Sequence, residues 1–402
     1  MNKYFVYIYL NNEYVKCALL EDCKGSYKFN YGKQYLKRVD AVPVDPANIP
    51  LYDKTYESEE IFGSIKDCSP DRWGRYLLEK KFNRELSEIE YILANGIDHV
   101  GGLAFSPYES DKPKMLTPIG YINHGIDKID LEVIMDQTEL VLSNEEDKEK
   151  LRELLLYGPS LGGARPKYCI NIKKEAYLAK YSISQDRRKE PLIEFACMKL
   201  AKDFGLNVPD IKLGKILKRD VLYIKRFDRE LSCGVEIRKP FLSALSLCEW
   251  YENSYADWSY PVFAQLIRQV GSTEKNIKAD LLELFKRVAF NIALNNNDDH
   301  PRNHGVYYNG NEWRLSPLYD VVSLDSQTQS FSLSMELGVD KKFASKKNLL
   351  SAIEYFEIGP DQANKIIDDV NTFISKNWRK YFSDVGLSTE EVSSFENAMS
   401  VK

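Results

Sequence analysis

Three oxygen-bearing side chains late in the chain have the types and spacing for phosphoryl transfer. Asp298 and Asn303 lie in Asn297-Asp298-Asp299-His300-Pro301-Arg302-Asn303, and Asp320 ends Ser316-Pro317-Leu318-Tyr319-Asp320. A transferring phosphoryl group offers a protein little covalent chemistry, so rate comes from aligning the nucleophile and neutralising charge on the phosphate oxygens. An Asp that accepts the hydroxyl proton, an Asn five residues on and a later Asp can serve both ends, because Mg²⁺ takes hard oxygen ligands and few of them from protein. Asp299 competes for the role of base, and the five-residue step to Asn303 favours Asp298. The same residue types also fill ordinary surface turns, where they bond the local backbone.

Such a loop needs firm flanks. The run Leu281 to Leu294 has apolar residues at helical spacing, and Gly305-Val306-Tyr307-Tyr308 and Trp313-Arg314-Leu315 flank Asn309-Gly310, the dipeptide of a tight hairpin turn. A polar loop between a buried helix and a hairpin is a suitable scaffold for a site.

A second constellation is Gly158-Pro159-Ser160-Leu161-Gly162-Gly163-Ala164-Arg165-Pro166-Lys167. Paired glycines let backbone amides close on an anion, although Ala164-Arg165 stands where a Walker loop requires Lys-Ser/Thr. A plain glycine turn between helix and strand is the other reading. Tyr168 to Ile172 and Ala176 to Tyr181 alternate as the two strands of a hairpin, which puts Lys180 on the second strand. Lys180 can reach phosphate oxygens as a point charge, with Glu194 in the helical stretch Leu192 to Phe204 as the carboxylate to orient it. A third strand, Val221 to Ile224, leads into Lys225-Arg226-Phe227-Asp228-Arg229, a hinge in a kinase-like layout or else an exposed basic turn.

Together these motifs resemble the HipA-like serine/threonine kinases, toxins of bacterial type II toxin-antitoxin pairs. Ser160 to Lys167 is similar to that family's glycine-rich loop, Arg226 to Arg229 to its hinge, Asn297 to Gly305 to its catalytic loop, and Leu315 to Val321 to its magnesium motif. Phe62 to Arg75, with Ser69-Pro70-Asp71-Arg72-Trp73-Gly74-Arg75, and Gly96 to Pro107 resemble its N-terminal subdomain. The resemblance implies ATP and Mg²⁺ as cofactors, Asp298 as catalytic base, and Asn303 and Asp320 as metal ligands. It implies that Gly162, Gly163, Ala164, Arg165, Pro166 and Lys167 wrap the triphosphate, that Lys180 contacts it, and that the Lys225, Arg226 and Phe227 backbone holds adenine. His300, Pro301, Arg302, Asn303, Tyr319 and Asp320 complete the expected nucleotide site. Expected partners are a HipB-like helix-turn-helix antitoxin, operator DNA reached mainly through that antitoxin, and a protein substrate such as an aminoacyl-tRNA synthetase.

Ser160 matches the loop serine on which such kinases phosphorylate themselves. A phosphate there adds about −1.5 to −2 charges to a loop that embraces ATP phosphates, so repulsion is expected to displace the loop and switch the enzyme off. Pro159, where many relatives carry a second hydroxyl residue nearby, does not fit a two-serine scheme.

Composition bounds these readings. With 402 residues, 44% hydrophobic and 12% aromatic, the chain can fill two or three packed subdomains. A net charge of −5 and a pI near 5.7 argue against a field that binds nucleic acid on its own. Lys341-Lys342, Lys346-Lys347 and the Lys376 to Lys380 region are the local basic candidates. Seven scattered cysteines without a Cys-x-x-Cys suit reduced thiols. The run Tyr4 to Leu10 reads as a strand and not a signal peptide, no apolar stretch reaches spanning length, and a cytoplasmic location without membrane contact is expected.

The expected architecture is α+β: a strand-rich N-terminal subdomain over 1–110, a kinase-like nucleotide-binding lobe over 111–230 and a mainly helical C-terminal lobe over 231–402. Helices are expected over Tyr76 to Phe82, Ser87 to Leu93, Leu131 to Leu142 and Glu145 to Leu156, then one ending near Phe356 and another over Gln362 to Phe373, parted by Gly359-Pro360. Two other functions fit parts of the pattern. One is a metal-dependent hydrolase using Asp298, Asp299, His300, His304 and Asp320, although Pro301 disfavours a helix carrying both histidines. The other is an ATP-binding, catalytically idle repressor subunit.

Overall fold

The computed structural model describes residues 2–96, 99–113, 128–142, 166–184, 186–232, 235–325 and 330–399. The helix expected over Glu145 to Leu156 and the glycine loop from Gly158 to Arg165 lie outside these residues. The fold is α+β, in two compact units: Met1–Ser184 with Lys225–Leu242, and Gln185–Ile224 with Ser243–Lys402. The three-part division of the chain remains an organisational expectation, since these units cut it at other places.

Unit 1 opens with a five-stranded antiparallel sheet in the order Thr55–Ser58, Tyr27–Tyr31, Glu13–Asp22, Asn2–Leu10, Leu103–Ser106. The strand Asn2–Leu10 is central and buries Val6, Tyr7 and Ile8 completely, which is why its sequence is almost continuously apolar. Asn11 and Asn12, with φ of 49° and 69°, close its hairpin with the double left-handed backbone that matches strand twist. The helix Arg72–Phe82 starts where Asp71 accepts from the Gly74 N–H, and Glu88–Asn95 starts in a Ser87/Glu90 capping box. Arg75 then ties the two helices through both Glu88 oxygens, at 2.5 and 2.7 Å.

The second hairpin of unit 1 joins Lys167–Ile172 to Glu175–Tyr181 through Lys173 and Lys174, both at positive φ. The helix Lys128–Leu142 packs on it, with the Tyr181 hydroxyl 3.0 Å from Thr138 Oγ1. A further hairpin, Arg229–Ser232 with Val235–Arg238, completes the unit.

Unit 2 is mainly helical. Glu274–Leu294 packs against Tyr260–Val270 and Pro360–Asp384, and the latter also packs against Glu190–Phe204. Phe204 sits between Phe290 and Phe373, with ring centres 6.1 and 5.5 Å away. Pro360–Asp384 is longer than the expected Gln362 to Phe373, because Ile367, Val370, Ile374, Trp378 and Phe382 carry the buried stripe on past Phe373. The helix expected to end at Phe356 is instead a short helix Lys346–Leu350 and a separate turn Ile353–Phe356, stopped by Glu357 at φ 55°. Gly305–Tyr308 and Trp313–Leu315 form the expected hairpin, but its loop is four residues, closed by Asn309 N–H to Glu312 O, with Gly310 at φ 103°.

Among the described residues, six cysteines are free of disulfides and no helix is long and apolar enough to cross a membrane.

Candidate active site

The helix Glu274–Leu294 is the anchor for both chemistry-bearing loops of unit 2. It ends on Asn295, whose left-handed backbone (φ 56°) turns the chain out of the helix. Asn295 Nδ2 donates to Leu324 O, and Ser323 Oγ donates to Leu294 O, so the stretch beyond Asp320 is tied to the helix end. Earlier on the helix, Asp280 takes both Arg314 nitrogens at 2.9 Å, while the fully buried Arg287 pairs with Glu283 and donates to Ser316 O. These bonds fix the start of Ser316-Pro317-Leu318-Tyr319-Asp320.

Between the anchors, the catalytic-loop candidate folds over its own main chain. Asp298 O accepts from the His300 N–H at 2.8 Å, and the His300 O accepts from the Asn303 N–H at 2.8 Å. Pro301–Asn303 is a single turn of 3-10 helix with Pro301 at its first position, where a missing N–H is tolerated. Asn303, 4% exposed, gives Nδ2 to Asp298 O at 3.2 Å, which commits the amino end of its amide and turns its oxygen the other way. Tyr319 donates its hydroxyl to Arg302 O at 3.0 Å, so the residue before Asp320 is bonded to the residue before Asn303. Asp320 holds φ 59°, a backbone conformation that side-chain-bearing residues seldom adopt and that recurs at ligand-binding positions.

The carboxylates here act on one another. Asp298 is exposed, yet partial desolvation of its carboxyl raises its pKa first; Asp320 and Asp299 raise it further, and His300 opposes them. Asp299 is the reverse case. It is 1% exposed and accepts from both Tyr260 Oη (2.5 Å) and His304 Nε2 (2.8 Å). Burial alone would raise its pKa, but the His304 and Tyr260 bonds hold it below the ordinary value. That separates the two candidate bases: Asp299 is enclosed and bonded, whereas Asp298 can meet a substrate.

The same bonds bear on the hydrolase alternative. Asp299 and His304 are bonded to each other inside the fold, and no group of three His, Cys, Asp or Glu side chains among the described residues could hold a metal. An Asn oxygen and the Asp320 carboxylate are instead a hard, sparse donor set that fits Mg²⁺ shared with phosphate oxygens. Arg302, expected near the nucleotide, pairs its guanidinium with Glu252 at 2.5 Å on the surface.

In unit 1, Lys167 and Lys180 stand directly opposite each other on paired strands, hence on one face of the hairpin. Lys167 is 4% exposed, with Nζ 3.9 Å from Asp71 Oδ2, and Pro166 before it is buried. Two lysines facing each other repel, and the Asp71 carboxylate beside Lys167 offsets that repulsion within the fold. Glu194, buried in the second turn of Glu190–Phe204, belongs to unit 2. Ser160, Gly162, Gly163, Ala164 and Arg165 lie outside the described residues.

The hinge candidates are not an exposed basic turn. Lys225 pairs with Glu175 at 2.5 Å, and the Arg226 N–H donates to Ala176 O at 2.9 Å. Arg226 and Arg229 are each 5% exposed and grip the Asp228 carboxylate, Nη2 of Arg226 and Nη1 of Arg229 both 2.8 Å from Oδ2. The Gly101 N–H donates to the same oxygen, and both guanidiniums donate to His99 O. Burial would raise the Asp228 carboxyl, but Arg226 and Arg229 overcome it and hold it far below the carboxylate range. This network fastens the Gly96 to Pro107 motif to the 225–229 segment. Of the basic candidates elsewhere, Lys341 pairs with Glu336, Lys346 pairs with Asp368 and Lys342 donates to Ser334 O.

A match to the HipA-like C-terminal domain covers residues 159–378, more than half of the chain. The chain belongs to the HipA-like family. A serine/threonine-protein kinase toxin HipA from Shewanella oneidensis is 25% identical over 324 residues, covering 75% of this chain and 71% of that protein. A Haemophilus influenzae protein with a provisional kinase name is 26% identical over 193 residues, 44% of this chain, and the match spans only 56% of that relative's length. The S. oneidensis HipA solved with HipB and operator DNA superposes with a TM-score of 0.66 over 98% of this chain and 95% of that one, at 16% identity. At that identity the likeness speaks for the fold.

Sequence reasoning about this HipA-like chain passed over Asp280, Arg287 and Asn291. Their signal was present: polar residues seven and four apart within an apolar helical run share one face, and that face is buried. Tyr260 had no local signal, because its partner Asp299 is thirty-nine residues away.

Proposed function

We propose that this HipA-like protein is a serine/threonine protein kinase that moves the γ-phosphoryl group of Mg·ATP to a protein hydroxyl. The observation that carries the reading is the Asp298, Asn303 and Asp320 arrangement: an exposed carboxyl with a raised pKa, an amide whose nitrogen is committed to the Asp298 main chain, and an Asp in a left-handed backbone. Asp298 accepts the hydroxyl proton as the acceptor oxygen attacks. Its raised pKa makes it a better base. Asn303 and Asp320 hold Mg²⁺, which supplies charge neutralisation on the phosphate oxygens. Lys167 and Lys180, opposite each other in unit 1, contribute positive charge to the triphosphate, and the 225–227 main chain receives adenine.

The S. oneidensis complex supports a HipB-like helix-turn-helix antitoxin as partner, with operator DNA reached through it. An aminoacyl-tRNA synthetase as substrate, Ser160 as the self-modified serine and a cytoplasmic location belong to the same reading. Incubation with γ-labelled ATP and Mg²⁺ tests it: label is expected on serine or threonine of this chain or of an added protein. An intact, ATP-binding protein that transfers no label is instead the idle repressor subunit.

A further inference from the structure

We propose that Asp299 and His304 form a clamp that sets the separation of Asp298 and Asn303, acting as positioning residues for the base and the metal ligand. The inference rests on the kinase reading for the roles of Asp298 and Asn303, and on the geometry for everything else. Each clamp residue directly follows one functional residue, so the five-residue step from 298 to 303 is repeated, one position on, by the step from 299 to 304. Across that second step lies a direct bond, His304 Nε2 to Asp299 Oδ2 at 2.8 Å. Closing it fixes the chord between the two ends of the loop.

The clamp is itself held by neighbours on both of its residues, although His304 Nδ1 has no hydrogen-bond partner among the described residues. Tyr260 Oη donates to the same Asp299 oxygen at 2.5 Å, and the Tyr260 N–H donates to Glu336 O at 3.0 Å. His304 O accepts from the Ala244 N–H at 2.8 Å, and the rings of Tyr260 and Phe263 lie 5.9 and 6.0 Å from the imidazole. Asp299, His304 and Tyr260 are 1%, 0% and 0% exposed, so none of them meets substrate. Three polar side chains in so dry a place are costly unless their bonds are made, and when made they allow one arrangement. The neighbours outside the clamp inherit that single arrangement through one peptide unit each.

The test uses Asp299→Asn, which keeps the shape and weakens both bonds, beside His304→Gln, which keeps a donor near Nε2. Two readouts are taken on the full chain: amide hydrogen exchange of the peptide 296–305 without nucleotide, and kinase kinetics against Mg²⁺. Exchange of that peptide is expected to quicken about tenfold or more in Asp299→Asn, with the rest of unit 2 at parent rates. Half-saturating Mg²⁺ is expected to rise and kcat to fall roughly 10- to 100-fold, with the KM for ATP nearly unchanged and His304→Gln closer to the parent. Parent-like exchange in the peptide overturns the clamp, as does exchange quickened evenly across unit 2, which marks a folding residue. If Asp299→Asn does not fold, Tyr260→Phe, which removes one of the two bonds, is read in the same way with a smaller expected change. A parent protein that transfers no phosphate defeats the kinase reading alone, since the exchange measurement still decides the clamp.

Discussion

In unit 1 the Asp228 carboxylate lies between two guanidiniums, whereas in unit 2 partial desolvation, with the charges of Asp320 and Asp299, raises the Asp298 carboxyl against the opposing His300. The first is 2% exposed and its pKa is lowered; the second is exposed and its pKa is raised. Asp228 has partners for its charge within the fold, so its energy is invested in joining the 225–229 segment to His99 and Gly101. On the proposed kinase reading, a divalent cation and a substrate proton would complete the group around Asp298. The contrast offers a rule for reading charge clusters: balance inside the fold indicates architecture, and imbalance at its surface indicates a task.

The same Asp→Asn change in the two places separates these roles. Asp298→Asn is expected to lower turnover by roughly 10² to 10⁴ while moving stability by only about 0.5 kcal/mol. Asp228→Asn leaves two buried guanidiniums short of a counter-charge and is expected to cost about 3–5 kcal/mol in denaturant unfolding, with activity lost only as far as folding is. Near-normal turnover in Asp298→Asn, or an unchanged unfolding midpoint in Asp228→Asn, breaks the comparison on the side concerned.

A pH titration sharpens it. Burial, with Arg229, Arg238 and Arg226 nearby, pushes His99 from an ordinary 6.5 down to about 3. The unfolded chain therefore takes up this proton first as pH falls, so the stability contributed by neutral His99 is present above 6.5 and is lost progressively toward 3. The expected slope is about 1.4 kcal/mol per pH unit in that window. His99→Gln removes this slope, and persistence of the acid limb unchanged in that variant would place the titrating group elsewhere.

How far these roles were legible in the sequence depended on the range of the interaction. The helical period exposed Leu281 to Leu294, and the five-residue step picked out Asp298 and Asn303, because both are local patterns. The hairpin turns at Lys173-Lys174 and Leu217-Lys218 carry positive φ on both residues without glycine or asparagine to announce them, so turn chemistry gave no sign. Arg226 and Arg229 stayed open between a hinge and an exposed basic turn because, Asp228 apart, the partners that enclose them, His99, Gly101 and Cys169, lie 57 to 130 residues away. Burial at such distances is a property of packing. The choice between Asp298 and Asp299, by contrast, rested on spacing, and the structure adds an independent reason in the Tyr260 and His304 bonds.

The smallest expected change in stability tests whether the site carries a cost to the fold. Asp320 combines a left-handed backbone with a carboxylate that raises Asp298, two features that an element selected for stability alone would shed. Glycine adopts that backbone without a side-chain clash and removes the like charge, against a larger loss of chain entropy on folding. Asp320→Gly is therefore expected to keep or raise stability, by up to about 1 kcal/mol in denaturant unfolding, while abolishing Mg²⁺-dependent transfer. The metal-free variant is also expected to show the Asp298 carboxyl titrating below its value in the parent, by NMR, since one of the groups that raises it is gone. A clear loss of stability in Asp320→Gly would mean that Asp320 is held by bonds the fold depends on, and would place it with Asp228 on the architectural side.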